Sequence, residues 1–466
     1  MSMVRLFSHY VSARTVLLVI LEALILLLAV RAGLSVRLGG SATLETGSDG
    51  AIVHAAALVL GMLVVLNSMG LYHIDDLKKG ASAIGVRLLA ALTVCLGIAF
   101  LIAYFVPSLY LKPHGWAVTV IVALAGSVLI RLLFYAWSDH SLFKPRVLVL
   151  GTGSRVAKLA ESSQTNKNHR VVGYVERQAA THYVPSSSVL VLAPEEPLLS
   201  LVQRHKVDQI VVAVRDRRDG GQLVRELLDC RLKGVGVIEL STFFEREYRK
   251  VLLESLNPSW MVLGEGFRQG IIRTVIKRLF DLIASGLLLL VALPIMLVAA
   301  VCILLESGGP VFYRQERVGE GGRVFSICKF RSMRNNAERD GTPRWATAND
   351  DRTTRVGRLI RKLRIDELPQ IINVFKGEMS FVGPRPERPF FVDKLTTQIP
   401  YYALRHAVKP GITGWAQVRY PYGASLDDAL EKLQYDLYYV KNHSLFLDLV
   451  ILFSTVEVVL WGKGAR

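Results

Sequence analysis

The stretch RVGRLIRKLRIDELPQIINVFKGEMSFVGPRPERP, residues 355–389, sets an adjacent acid pair, Asp366 and Glu367, between a basic amphipathic segment and a proline-flanked arginine, Arg385. Val356, Leu359, Ile360 and Leu363 recur at helical spacing, while Arg355, Arg358 and Lys362 fall on another face. This spacing predicts a helix over 355–364 with one buried face and one that attracts anions. Pro369 reads as a first-turn proline of a following helix over 370–375, so the acids could serve only as helix N-terminal charges. The functional reading is a carboxylate that faces a phosphorus atom or a divalent cation, with Arg361, Arg364 and Arg385 holding Asp366 ionised at neutral pH. An ionised carboxylate can act as a nucleophile.

Working outward, the chain has 466 residues, 51% of them apolar, and a formal net charge of +17. That length predicts two or three domains, and that apolar share exceeds what a soluble enzyme needs, which makes this a membrane protein. The positive charge suits nucleic acid, an anionic lipid surface or phosphorylated substrates, and membrane segments favour the last two. A nucleic-acid partner is excluded because the basic residues flank apolar runs and lack an aromatic stacking pattern. The cysteines, at 95, 230, 302 and 328, match neither a zinc spacing nor a disulfide framework.

Apolar runs over 15–30, 51–72, 83–106 and 115–137 each approach the ~20 residues of a membrane span. The first lacks a small-residue cleavage site and reads as an anchor. Arg5 and Arg14, Lys78 and Lys79, and Arg131, Lys144 and Arg146 put both ends of this bundle on the cytosolic side by the positive-inside rule. Glu22 and His54 fall within spans, where packing inside the bundle competes with a lipid or ligand role. From Pro145 onward, short β-branched runs (RVLVL, VVGYVE, SVLVL, QIVVAV, GVGVIEL) alternate with polar helical stretches, the pattern of a parallel α/β sheet. Gly151, Gly153 and Glu176 have the layout of a dinucleotide site, but Val156 stands where the third glycine belongs, which favours a structural or regulatory role. An irregular connector is expected over 241–267.

A fifth apolar run, 279–305, is flanked by Lys277 and Arg278 before it and Arg314 and Arg317 after it. Charge on both flanks fits a hairpin that returns to the cytosolic side, bent at Pro294; an ordinary kinked span is the alternative. The last run, 445–461, is interrupted by Asp448 and Glu457 and is expected to lie along the interface.

Taken in order, KRLFD (277–281), the run with Pro294, GGPVFYRQERVG (308–319), KFRSM (329–333), RKLRIDELPQIINVFKGEMSFVGPRP (361–386) and VKPGITGWAQV (408–418) resemble the catalytic domain of the bacterial sugar transferases. These are polyprenyl-phosphate phosphoglycosyltransferases with one re-entrant membrane helix. With four spans and a Rossmann-like module ahead of that domain, the whole chain resembles the long exopolysaccharide-initiating members. The resemblance implies three parts: a transmembrane bundle (1–140), a cytosolic Rossmann-like α/β domain (141–265) and a mainly α catalytic domain (266–466) with its membrane hairpin at 279–305. It further implies a multi-pass protein of the bacterial inner membrane with the catalytic domain cytosolic.

The resemblance also implies a reaction. Asp366 would attack the β-phosphorus of a UDP-sugar, expel UMP and pass a hexose 1-phosphate to undecaprenyl phosphate, while Glu367 would hold Mg²⁺. Arg361 and Arg385 would contact phosphate or nucleotide, with Lys329 and Arg331 as further phosphate or headgroup contacts. Gly411 and Gly414 read as turn glycines and Trp415 as core or interfacial anchor. Membrane lipids are partners, and a homo-oligomer is left open. The rival classes are a membrane-anchored regulator or scaffold of polysaccharide assembly, and a glycosyltransferase that releases UDP.

Overall fold

The computed structural model describes the chain apart from residues 1–2, 7–8, 38–48, 73–80, 106–112, 139–143, 166–168, 177–182, 193–195, 215–219, 256–269, 335–351, 422, 424 and 462–466. Lys78, Lys79 and residues 256–267 of the expected connector therefore lie outside the described residues. The chain forms two compact units, one running essentially from the N-terminus to Asn257 and the other from Pro258 to Arg466.

In the first unit, strands Met3–Leu6 (β1) and His9–Ser12 (β2) precede four apolar helices, Ala13–Arg37 (α1), Asp49–Ser68 (α2), Ala81–Phe105 (α3) and Pro113–Ser138 (α4). Among the described residues, α1 and α4 are long and apolar enough to cross a membrane, while α2 and α3 contribute shorter apolar stretches, 55–68 and 84–100. Small residues let α1 and α4 approach closely: a Cβ on Gly126 would come within 2.6 Å of Ile25, and one on Gly33 would collide with Thr119. Glu22 is fully buried and pairs with Arg131 at 2.6 Å. Arg131 also donates to Leu71 O at 2.8 Å and lies over the Tyr72 ring. Glu22 thus belongs to the bundle's packing. His54 falls on α2, and its side chain lies outside the described residues.

The rest of this unit is a five-stranded parallel sheet of Arg146–Leu150 (β3), Arg170–Glu176 (β4), Val189–Val191 (β5), Gln209–Val212 (β6) and Gly236–Glu239 (β7), in the order β5-β4-β3-β6-β7. Successive side chains on a strand point to opposite faces, so Val147 and Val149 enter one core while Leu148 and Leu150 enter another. Helices Ser154–Thr165 (α5), Leu198–Arg204 (α6) and Gly220–Leu232 (α7) connect the strands. Gly151 has φ +117°, which only glycine adopts easily, and Val156, in the third-glycine position, is packed into the core. The Thr152 hydroxyl donates to the Glu176 carboxylate, so the two ends of the expected dinucleotide layout are bonded to each other. The start of the expected irregular connector is instead a helix, Leu240–Tyr248 (α8), because Phe243 and Phe244 are drawn completely into the core.

The second unit opens with one 37-residue helix, Ile271–Ser307 (α9), helical through Pro294. The chain is thus helical on both sides of the expected bend at Pro294. Drawn straight, this helix would be about 55 Å long, well beyond a ~30 Å hydrocarbon core. Asp281, Ser285, Ala292, Met296, Ala299 and Ile303 form its buried stripe, while Leu287, Leu290, Val291, Val298 and Leu305 are exposed on its outer side. An antiparallel hairpin follows, Phe312–Val318 (β8) with Val324–Phe330 (β9), and then Arg355–Lys362 (α10), a 3₁₀ turn over Ile365–Gln370 and Ile371–Lys376 (α11). Strands Ser380–Val382 (β10) and Gly411–Thr413 (β11) pair in parallel around Pro389–Gln398 (α12), and Trp415–Arg419 (α13), Leu426–Asn442 (α14) and Leu445–Trp461 (α15) close the unit.

Three sequence expectations are corrected here. Helix α10 stops at Lys362 because Arg364 is left-handed (φ 57°), and only Val356 and Ile360 of its apolar positions pack into the core; Leu359 and Leu363 are exposed. Pro369 sits in the 3₁₀ turn rather than at the start of α11. Gly411 and Gly414 are close-approach glycines, since a Cβ on either would lie 2.1 to 2.2 Å from the Gly383 backbone. Trp415 is fully buried, which settles it as core.

Candidate active site

The 3₁₀ turn carries the acid pair inward. Asp366 is 9% exposed and Glu367 6%. A carboxylate that deep must meet donors or cations, because its lost hydration otherwise costs several kcal/mol. Glu367 meets three cations: its Oε1 accepts from Lys329 Nζ at 3.0 Å and from Arg385 Nη2 at 2.9 Å, and its Oε2 lies 3.9 Å from Arg364 Nη1. Burial alone would push its carboxyl up, but Arg385, Lys329 and Arg364 together hold it well below the usual range.

Asp366 is placed differently. Its Oδ1 is buried without a hydrogen-bond partner. Burial first, and the adjacent Glu367 charge second, push its carboxyl up to about 6, with Lys329, Arg364 and Arg385 pulling against them. The cations thus neutralise Glu367 most directly, and Asp366 is ionised at neutral pH with its midpoint raised rather than lowered. The result is a charged oxygen with nothing bonded to it inside a cationic pocket, the state expected of a nucleophile.

Arg385 is aimed by its backbone. Three successive carbonyls in the Pro384-Arg385-Pro386 loop accept hydrogen bonds, from Gly411 N (3.0 Å), Arg405 Nη2 (3.0 Å) and Arg317 Nη1 (3.1 Å). The prolines fix φ on either side. Arg405 is itself held by the buried Asp436 at 2.7 Å and by the Tyr402 hydroxyl at 2.9 Å. Lys329 is set by β9, which Asn373 stitches to α11: its Oδ1 accepts Cys328 N at 3.0 Å and its Nδ2 donates to Ser326 O at 2.8 Å.

Among the residues singled out in the sequence, Asp366, Glu367, Lys329 and Arg385 come together. Arg361 is half-buried at the end of α10 and makes no ion pair with either acid; Arg364 takes that place. Arg331 is engaged elsewhere through Nη2, which donates to Ser307 O at 3.0 Å, Ser307 Oγ at 2.7 Å and Gly308 O. Pro294 lies on α9, away from the acid pair in sequence, as an exposed residue of the apolar helix. Arg317, Asn373, Arg405 and Asp436 were missed as site-building residues. Of these, only Arg317 and Asn373 lie inside a quoted motif.

A hard cation fits this donor set in one way. Asp366 Oδ1 has no partner and Glu367 Oε2 has only a distant arginine, which leaves oxygens for an ion completed by substrate phosphates. Among the described residues, no group of three ligating side chains could hold a metal unaided.

Residues 272–462 match the family model of the bacterial sugar transferases, and residues 67–229 match that of a CoA-binding domain. Over 376 residues the chain is 38% identical to the UDP-N-acetylgalactosamine-undecaprenyl-phosphate N-acetylgalactosaminephosphotransferase of Aeromonas hydrophila, an overlap of 79% of this chain and 86% of that one. It is 39% identical over 275 residues to the UDP-glucose:undecaprenyl-phosphate glucose-1-phosphate transferase of Klebsiella pneumoniae, 58% of each chain. The protein of the same description from Escherichia coli is 42% identical over 267 residues, 56% of each chain.

Three outcomes are expected. In difference infrared spectra against Asp366→Asn, the protonated-carboxyl band of Asp366 should appear as pH falls through about 6. In Lys329→Met, which removes a cation favouring the ionised form, that band should appear at higher pH. Arg405→Met, which strands the buried Asp436 charge, should destabilise this unit by about 3–5 kcal/mol in denaturant titrations.

Proposed function

Because the chain belongs to the bacterial sugar transferase family, we propose that it transfers a sugar 1-phosphate from a UDP-sugar to undecaprenyl phosphate, releasing UMP, to initiate an exopolysaccharide or capsule chain. The observation that carries this reading is the unpartnered Asp366 Oδ1 beside a cation-wrapped Glu367. Its relatives are named for phosphotransfer to the same acceptor, one for an N-acetylhexosamine and others for glucose.

In the first half-reaction, Asp366 Oδ1 attacks the β-phosphorus, the bond from that phosphorus to the bridging oxygen breaks, and UMP departs with the electron pair. The product is a phosphosugar-aspartate. In the second, a phosphate oxygen of undecaprenyl phosphate attacks the same phosphorus and the Asp366 carboxylate leaves unchanged. Splitting the reaction lets a polar and a greasy substrate use one site in turn. An anion attacking a pyrophosphate is repelled, and Lys329, Arg364 and Arg385 oppose that repulsion from positions fixed before substrate arrives. Mg²⁺, held by Glu367 Oε2 together with substrate phosphates, would supply further charge neutralisation. Glu367 would chiefly fix Arg385 and Lys329 in place.

The acceptor's tail stays in the bilayer, so the pocket must sit at headgroup depth. Two features support this on the cytosolic side of the inner membrane. The exposed apolar side of α9 and exposed Leu359 and Leu363 of α10 suit lipid contact, alongside the basic residues of α10. Both flanks of α9 also bind the same unit. Arg278 donates to Val374 O and Phe375 O at 2.6 Å, Asp281 accepts from Ser380 Oγ at 3.0 Å, and Lys277 pairs with Asp448 of α15 at 2.9 Å, while Ser307 and Gly308 bind Arg331. A helix whose two ends dock on one folded unit favours re-entry over crossing.

Purified protein with Mg²⁺, undecaprenyl phosphate and a panel of UDP-sugars should release UMP, and Asp366→Asn should lower the rate at least ~10³-fold, as loss of a covalent nucleophile does. Release of UDP would indicate plain glycosyl transfer, and no nucleotide release would favour a regulator. Single cysteines at Ile272 and Leu305 should both react with an impermeant thiol reagent applied from the cytosolic side. Protection of Leu305 from that side would mean that α9 crosses.

A further inference from the structure

A second set of charges joins the end of α9 to the segment that carries Asp366. Glu306, in the last turn of α9, accepts the backbone N–H of Arg355 through Oε1 at 2.7 Å and that of Val356 through Oε2 at 3.0 Å. These are two of the donors that the first turn of α10 leaves without an intrahelical acceptor. Thr354 Oγ1 takes a third, from Gly357 at 2.8 Å. In the opposite direction, Arg331, two residues beyond Lys329, binds the carbonyl end of α9 at Ser307 and Gly308. The contacts are reciprocal: an acid of α9 caps α10, and a cation following β9 caps α9.

The residues just before α10 are also tied to the end of β9's extension, through Thr354 N–H donating to Ser332 O at 3.1 Å and the Met333–Thr353 bridge, so the Glu306 cap acts together with them. Helix α10 has eight residues, about 12 Å of helix, and enters the core through Val356 and Ile360, against a cluster that includes Met296, Ala299 and Ile303 of α9. Apolar packing of that kind resists separation more than sliding, whereas a carboxylate bridging two successive N–H groups is directional. Asp366 stands four residues beyond the end of α10, with Leu363, Arg364 and Ile365 between them.

We propose that Glu306 is a positioning residue of the transfer reaction: its bidentate cap fixes the start of α10, and through that short helix the placement of Asp366 and Arg364, so that seating α9 and aligning the acid pair are one event. This rests on the phosphosugar-transfer reading. Glu306 touches no substrate in this role and acts through α10.

The test uses the full chain in lipid nanodiscs with parent, Glu306→Gln and Glu306→Ala proteins, measuring UMP release in a single turnover and dividing each rate by the fraction of molecules that trap labelled sugar phosphate. A misplaced nucleophile slows the chemical step, so Glu306→Ala should lose about 10- to 100-fold in rate per competent molecule, with KM for the UDP-sugar within about 2-fold. Glu306→Gln keeps one acceptor oxygen and should recover most of that loss. A purely structural role would lower the competent fraction and leave the rate per competent molecule at the parent value, which overturns the proposal. So does an active parent matched by an equally fast Glu306→Ala protein. A parent that releases no UMP overturns the transfer reading and this inference with it.

Discussion

Two neighbouring carboxylates can be buried together only if cations stand against them, and the second unit is organised around meeting that condition. Lys329 comes from a strand, Arg364 from the turn before the acids, and Arg385 from a loop almost twenty residues further on. Each is committed to Glu367 before any phosphate is present. The cost of desolvating Glu367 is thus offset by these three charges, and Asp366 is left with the residual charge and an open oxygen. Removing Glu367 from this picture would leave three cations in mutual repulsion, so this acid organises the pocket even where it takes no part in bond making.

The sequence made the chemistry legible and the supports largely invisible. Asp366, Glu367 and Arg385 stand out because they are adjacent or proline-framed, and the five parallel strands stand out because β-branched runs alternate with polar helices. Arg405 and Asp436 could not be found in the same way: they are 31 residues apart, on a 3₁₀ turn and a helix, and neither lies in a motif. Periodicity carried the basic helix on to residue 364, yet the left-handed backbone at Arg364 ends it and turns the chain inward at that point. Periodicity assumes that the helix continues, so a break defeats it. Arg331 misled for another reason. A buried arginine next to a site cation looks like a ligand until its carbonyl partners are located, and those belong to a segment more than twenty residues earlier in the chain.

The apolar helix posed the opposite problem. Its hydrophobicity was obvious, but hydropathy says nothing of which side is covered. Asp281 and Ser285 lie in the buried stripe among alanines, a methionine and an isoleucine, while the larger aliphatic side chains point outward. Asp448 looked like an interruption in the last apolar run and is instead the partner of Lys277 and of the Tyr439 hydroxyl. The charged residues of these helices serve attachment to the folded unit, while many of the large apolar ones of α9 are exposed.

Gly383, Gly411 and Gly414 bring the backbone of β10 and the turn after it into direct contact with β11, with no side chain between them. The arginine loop begins at the next residue, Pro384. The start of the loop is therefore anchored backbone against backbone, and the side chains of Arg405 and Arg317 hold the two carbonyls that follow. Looser packing elsewhere in the unit would change how tightly the pocket closes, yet the course of the main chain where the arginine loop starts would be inherited from bond lengths and angles.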